Sequence, residues 1–286
     1  MNLRTYGKIN LFLNILGKRE DGFHNIETVI QRIDLFDEIK LYVDKSFNGI
    51  DIKISCDKEG VPTDERNLCY KVCKWFMEKY RLNGKVFIDI KKNIPISAGL
   101  GGGTSNGAEI IKALNKIYNL NIDINVLCED SVVLGADFPY CLIGGTILCE
   151  GVGERLKRIN SFFNKIIIVV KPNFGFSTKD VYENFCIDNV KYNINKDEMI
   201  KYLNDKNFYG VCKTISNTLE YSNVNGMDMI REIKFKLKSL GAINSSMSGS
   251  GSSVYGVFDN LYVAQKCYDE FKKEFNEVFI TRTINK

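Results

Sequence analysis

The stretch PISAGLGGGTSNGA, Pro95–Ala108, carries five glycines within the nine residues from Gly99 to Gly107, with the hydroxyl residues Thr104 and Ser105 among them. Glycine tolerates positive φ and lets backbone approach a ligand closely. Several in succession allow consecutive amides to turn inward and form a concave nest for an anion. Lys85–Ile90 before the stretch reads as a strand. Ile110, Ile111, Leu114, Ile117 and Tyr118 after it form an apolar stripe at helical spacing. A helix that begins behind the nest adds free N–H groups and the positive end of its dipole. Strand, glycine turn and helix together suit a phosphate chain; the alternative is a tight strand–helix joint.

The nest is not a Walker loop, because no Lys-Ser or Lys-Thr follows the glycines. It is not a dinucleotide fingerprint either: Gly99-x-Gly101 is followed by Thr104 where a third glycine belongs, so a dehydrogenase is disfavoured. A second small-residue stretch, SSMSGSGSSVYGVF at Ser245–Phe258, runs into strand-like sequence. Read singly, it is a phosphate-side loop or a hairpin turn.

The rest of the chain sets the frame. Its 286 residues are enough for two lobes. A formal net charge of +4 suits anionic small molecules and makes no case for nucleic acid as a partner. No apolar run reaches the roughly 18 residues of a membrane span. MNLRTYGKIN at the start has no apolar signal-peptide core, and the nine cysteines are scattered among apolar neighbours. The expectation is a cytoplasmic protein with reduced thiols and no membrane partner. Cys69 and Cys73 would share a helix face, but no second pair or neighbouring histidine completes a metal site, so none is assigned. Oligomeric state has no signal.

The opening segment alternates, with Ile9, Leu11, Leu13 and Ile15 on one side of a strand and Lys8, Asn10, Phe12 and Asn14 on the other. Strand patterns follow at His24–Ile33, Glu38–Val43 and Ile50–Ser55, then a helix over Asn67–Tyr80. Val126–Leu134 is a further helix and Lys165–Lys171 an apolar strand. Helices dominate from Thr178 onward, broken by strands near Ala242–Met247, Ser253–Phe258 and Val278–Thr283. The fold class is α+β, with a lobe boundary between 150 and 165.

Three motifs, in this order, resemble those of the GHMP kinases, the family named for galactokinase, homoserine, mevalonate and phosphomevalonate kinases. They are Lys8-Ile9-Asn10-Leu11 on the first strand, the loop Pro95-Ile96-Ser97-Ala98-Gly99-Leu100-Gly101-Gly102-Gly103-Thr104-Ser105, and Met247-Ser248-Gly249-Ser250-Gly251-Ser252. The resemblance implies the two-lobed GHMP kinase fold: a ribosomal-protein-S5-domain-2-like N-terminal lobe at 1–155 and a ferredoxin-like C-terminal lobe at 156–286. Within the family, GKINLFLNILGKREDGFHNIETV (Gly7–Val29), AGLGGGTSN and LGADFPYCL are similar to members that phosphorylate a diphosphocytidyl-linked methylerythritol at its 2-hydroxyl. Those members use ATP and serve the methylerythritol phosphate route to isoprenoid precursors. Thr104 stands where serine is common, and keeps the hydroxyl.

By this resemblance the loop Pro95–Ser105 binds ATP, with Mg²⁺ on the nucleotide. Asp137, in Gly135-Ala136-Asp137-Phe138-Pro139, takes the proton of the acceptor hydroxyl; read by itself, it would order the turn before Pro139. Lys8 lies beside Asp137 and offsets charge in the transition state, although a strand lysine ordinarily faces solvent. Asn10 shares its side of the strand and is a substrate contact. The DGFH turn reads cytosine, with Phe23 as a stacking ring and His24 as a hydrogen-bonding partner. Tyr182, the opposite ring, is also read as a helix tyrosine in the core, and Thr178 stands near the substrate. Three roles are open to Thr104 and Ser105: capping the helix, contacting phosphate and approaching Mg²⁺. By the same resemblance Asn67 and Leu68 line the adenine pocket, while Asn67 is equally read as a helix cap. The competing functions are a relative acting on homoserine or mevalonate, which the DGFH turn disfavours, and a nucleotide-binding protein without catalysis, which would have no use for Lys8 and Asp137 together.

Overall fold

A computed structural model describes residues 1–190 and 195–285. In chain order the elements are β1 (Asn2–Lys18), β2 (His24–Asp44), β3 (Ile50–Cys56), α1 (Leu68–Lys79), β4 (Gly84–Lys91), α2 (Gly102–Ile117), α3 (Ile124–Ser131), α4 (Phe138–Ile143), β5 (Thr146–Gly151), β6 (Arg155–Arg158) and β7 (Ile166–Lys171). They continue with α5 (Thr178–Glu183), α6 (Lys196–Asn204), α7 (Phe208–Thr214), β8 (Ser216–Asn217), α8 (Met227–Ser239), β9 (Asn244–Met247), β10 (Val254–Phe258), α9 (Leu261–Lys272) and β11 (Glu277–Arg282). The chain forms two compact units, one of residues 1–7, 36–94 and 101–143, the other of 8–35, 95–100 and 144–286. The strands β1 and β2 contribute to both.

In the first unit, the later part of β2 pairs antiparallel with β4, and β3 pairs parallel with β4. The register sets Ile39 against Ile90 and Leu41 against Ile88, so one face of these strands is apolar and buried. Helix α1 starts at Asn67, whose side chain accepts from Cys69 N at 2.8 Å. Its inner face carries Val72, Cys73, Phe76 and Met77. Helix α2 packs on α1 and α4. Gly107 makes that approach possible: a Cβ there would come within 2.9 Å of both Phe138 and Val72.

The sequence pattern divides β2 into two strands, whereas the structure has one of 21 residues. The charged gap is bridged because Asp37, fully buried, accepts from Asn93 N (2.8 Å), Ile94 N (2.7 Å) and Lys92 Nζ (2.5 Å). A carboxylate satisfied in this way does not need water and does not end the strand.

The second unit contains an antiparallel sheet in the order β11-β7-β10-β9. Ile166, Ile168 and Val170 of β7 join Val254 and Phe258 of β10 in a core closed by Ile230, Ile233 and Leu237 of α8 and Cys267 and Phe271 of α9. The earlier part of β2 pairs with β5, and β8 pairs parallel with β1 through Phe12–Ser216 and Leu13–Asn217. Of the nine cysteines, Cys186 is exposed, Cys56 half-buried and the others buried. Burial pushes the thiols of Cys69, Cys73, Cys212 and Cys267 up to about 12.

Candidate active site

The glycine stretch is built from two kinds of backbone. Gly99 and Gly101 take left-handed φ of 71° and 68°, which only glycine adopts without strain. Ser97 is left-handed as well, at φ 49°. Gly102, Gly103, Thr104 and Ser105 are not loop but the first turn of α2, which begins two residues earlier than the hydroxyls. Neither Thr104 nor Ser105 caps the helix: the N-cap is Gly101, with no side-chain cap bond and no acidic residue in the first turn. The N–H groups of Gly102, Gly103 and Thr104 thus lie ahead of the first intrahelical bond, Ser105 N to Gly101 O at 2.8 Å, at the positive end of the helix. Thr104 is half-buried. Ser105 is 4% exposed and directs its hydroxyl to Cys141 Sγ at 3.5 Å.

In the second unit, Pro95–Leu100, Lys8 and the loop after β9 come together. Lys8 N donates to Leu100 O at 2.9 Å, and Ser253 N donates to Ala98 O at 3.1 Å. Ser248 Oγ donates to Gly99 O at 2.9 Å. A Cβ on Gly99 would lie 1.9 Å from Ser248 O, so the two small-residue stretches touch backbone to backbone. This is why the second one is not merely a hairpin turn.

Lys8 does not face solvent. It is 5% exposed, and the polar side of β1 is buried like its apolar side, with Asn10 at 2%. The Lys8 ammonium donates to Asn10 Oδ1 at 2.8 Å, Asn10 Nδ2 donates to Thr28 Oγ1 at 2.8 Å, and Thr28 Oγ1 donates to Phe12 O at 2.6 Å. Tyr255, fully buried, donates its hydroxyl to Asn10 O at 2.8 Å. A chain of hydrogen bonds thus fixes Asn10, and through it the lysine. Asp137 belongs to the first unit. It is half-buried, and its carbonyl accepts from Cys141 N at 3.0 Å, at the first turn of α4.

The DGFH turn is held from below. Arg19 Nε donates to both carboxylate oxygens of Asp21, and Phe23 N donates to Asp21 Oδ1 at 3.1 Å. These bonds leave Phe23 64% exposed. His24 lies with its ring centroid 5.4 Å from that of Tyr182, tilted by 45°. Burial, with Lys18 nearby, holds the His24 imidazole below its usual value. Tyr182 also packs on the edge of the core, so the two readings of it are not exclusive. Thr178 shares a 2.9 Å hydrogen bond with Ser250. Asn67, besides capping α1, donates to Pro62 O at 2.6 Å.

Ser248, Thr28 and Tyr255 lie inside the motif stretches without a role of their own in the sequence reading, and Asn217, a single polar residue outside all of them, carries no signal in the sequence. Asn217 is the least visible and among the most connected: its Nδ2 donates to Met247 O at 2.9 Å and Gly249 O at 2.8 Å.

The family model described as GHMP kinases N terminal domain matches residues 67–145, and GHMP kinases C terminal matches 199–277. A Clostridium botulinum (type B) protein named 4-diphosphocytidyl-2-C-methyl-D-erythritol kinase is 44% identical over 284 residues, covering 99% of this chain and 100% of the relative. A protein of that name from Clostridium beijerinckii is 45% identical with the same coverage. A crystal structure of 4-(cytidine 5'-diphospho)-2C-methyl-D-erythritol kinase superposes with a TM-score of 0.81 at 26% identity, covering 100% of both chains. L. major mevalonate kinase in complex with R-mevalonate matches in fold, with a TM-score of 0.78 at 16% identity over 100% of this chain and 96% of that one.

Proposed function

Because the chain belongs to the GHMP kinases, we propose that it is an ATP-dependent phosphotransferase whose acceptor is the 2-hydroxyl of 4-diphosphocytidyl-2-C-methyl-D-erythritol, in the methylerythritol phosphate route to isoprenoid precursors. The observation that carries this is the likeness along the full length, at 44–45% identity, to proteins of that name. The Lys8, DGFH and GADFP motifs fit the same acceptor. We take the family's lobes as 1–155 and 156–286, and the working environment as the cytoplasm, with no nucleic-acid or membrane partner. Among the described residues no helix is long and apolar enough to cross a membrane.

In this reading Pro95–Ser105 hold the nucleotide. The uncapped first turn of α2 and the left-handed Gly99 and Gly101 suit a phosphate chain, which they bind through backbone N–H groups and the helix dipole. ATP, with Mg²⁺ on its phosphates, supplies the group transferred. Transfer of a phosphoryl group is chiefly positioning and charge stabilisation. Lys8, held by Asn10, offers a fixed ammonium to the transferring oxygens. Asp137 accepts the proton of the attacking hydroxyl. Phe23 and Tyr182 supply ring faces for cytosine, His24 a hydrogen bond to its edge, and Asn10 and Thr178 polar contacts to the rest of the substrate.

A coupled assay of ADP release with ATP, Mg²⁺ and the cytidyl acceptor tests this, with homoserine and mevalonate as comparison acceptors. Turnover should require the cytidyl compound. Lys8→Ala and Asp137→Ala should each lower kcat by about 10²-fold or more with the circular dichroism spectrum unchanged. No turnover on the cytidyl compound would overturn the substrate, and near-normal kcat in both variants would overturn the mechanism.

A further inference from the structure

The loop that touches Lys8 is gripped from behind by one side chain. Asn217 is fully buried on β8, which pairs with β1 at Leu13, five residues along the strand from Lys8. Thr218 reinforces this joint, its hydroxyl accepting from Ile15 N at 3.0 Å. From that fixed base Asn217 Nδ2 donates to Met247 O and to Gly249 O, while its Oδ1 accepts from Leu219 N at 3.0 Å. Three of its four hydrogen-bonding positions are thereby used, and a buried amide left with fewer is costly. Glu220, three residues on, holds the same end of the loop, where β9 finishes, accepting from Met247 N at 2.8 Å and Ser246 Oγ at 2.9 Å.

The grip matters because of what Gly249 faces. Its φ is 54°, and a Cβ on it would lie 3.1 Å from Lys8 Nζ and 3.4 Å from Asn10 Oδ1. The lysine's head thus sits between Asn10 and the wall that Gly249 makes. A lysine on its four-carbon stem has much rotamer freedom to lose, and this wall restricts it before any ligand arrives.

We propose that Asn217 is a positioning residue for phosphoryl transfer: by holding the carbonyls of Met247 and Gly249, it sets the wall that aims Lys8. This rests on the role given to Lys8 above. Displacement of a reacting group by 1 Å can cost about 10²-fold in rate, so Asn217→Ala should lower kcat by about 10- to 10²-fold while KM for ATP and acceptor changes less than about 3-fold.

The test is a double-mutant cycle with Lys8→Ala, read as kcat, with thermal melting alongside. Asn217→Ala should cost its full factor in the wild-type background and less than about 2-fold once Lys8 is gone. An equal loss in both backgrounds, or a lower Tm with wild-type kcat, would overturn the proposal and leave Asn217 a structural residue. If Asn217→Ala does not fold, Asn217→Ser, which keeps one donor, enters the same cycle; and Gly249→Ala, which pushes on Lys8 from the other side, should lower kcat in the wild-type background only. Wild-type turnover in the same plate separates the outcomes: its absence counts against the proposed reaction, not against Asn217.

Discussion

Lys196 at the start of α6 donates to Glu27 and, at 2.5 Å, to Glu150. The two glutamates stand directly opposite each other on β2 and β5. Replacing Lys196 with methionine keeps the stem and removes the charge. Cross-strand carboxylates about 5 Å apart repel by about 3 kcal/mol at an effective dielectric of ~20. With Glu27 16% and Glu150 32% exposed, solvent reduces this, and about 2 kcal/mol is expected at pH 7. For a chain of this length that is a fall in Tm of about 3 °C. The pH dependence follows from Glu150, whose carboxyl is held below its ordinary 4.5 chiefly by the Lys196 hydrogen bond. A depressed carboxylate contributes stability above its unfolded value and loses it as pH falls through the folded one. The gap between wild type and Lys196→Met in thermal melts should therefore be full at pH 7 and close as pH drops below about 4.5. A gap under 1 °C at neutral pH, or one of equal size at pH 7 and pH 4, would refute the reasoning.

Gly99→Ala must accommodate a Cβ 1.9 Å from Ser248 O at a left-handed φ; the expected result is loss of soluble folded protein or a sharply raised KM for ATP, read by melting and kinetics. Gly107→Ala places a methyl 2.9 Å from Phe138 and Val72 and should cost about 1–3 kcal/mol in urea unfolding. Asn67→Ala removes the cap of α1 and should cost about 1 kcal/mol by the same measurement. His24 stays neutral below its ordinary 6.5 because burial and Lys18 disfavour the cation. KM for the cytidyl acceptor should accordingly be flat from pH 8 down to 6.5 and rise only under more acid conditions.

The sequence made the glycine turn and the helix behind it legible, because glycine clusters directly before an apolar stripe at helical spacing. It could not divide the glycines by task. Gly99 and Gly101 supply left-handed backbone, Gly102 and Gly103 open a helix, and Gly107 lets α2 approach its neighbours; only tertiary packing separates these. The alternation of β1 located Lys8 and Asn10 on one side but not their burial, since polar residues in a strand ordinarily mark a wet face. The break read into β2 followed from charge, and was wrong because Asp37 finds backbone and lysine partners far along the chain. Asn217 was beyond reach for the same reason: its partners lie 30 and 32 residues away, and nothing local distinguishes it from a surface asparagine.

The state of the thiols has a practical side. Thiolate is the reactive form, and a thiol at about 12 presents roughly one part in 10⁵ of it at neutral pH. Cys69, Cys73, Cys212 and Cys267 are therefore nearly inert in the folded protein as well as shielded. Cys186, exposed just after α5 and four residues from Tyr182, is the natural single attachment point for a maleimide dye. The native chain, with no cysteine removed, should take up about one label rapidly and so carry an optical reporter beside the residues assigned to cytosine.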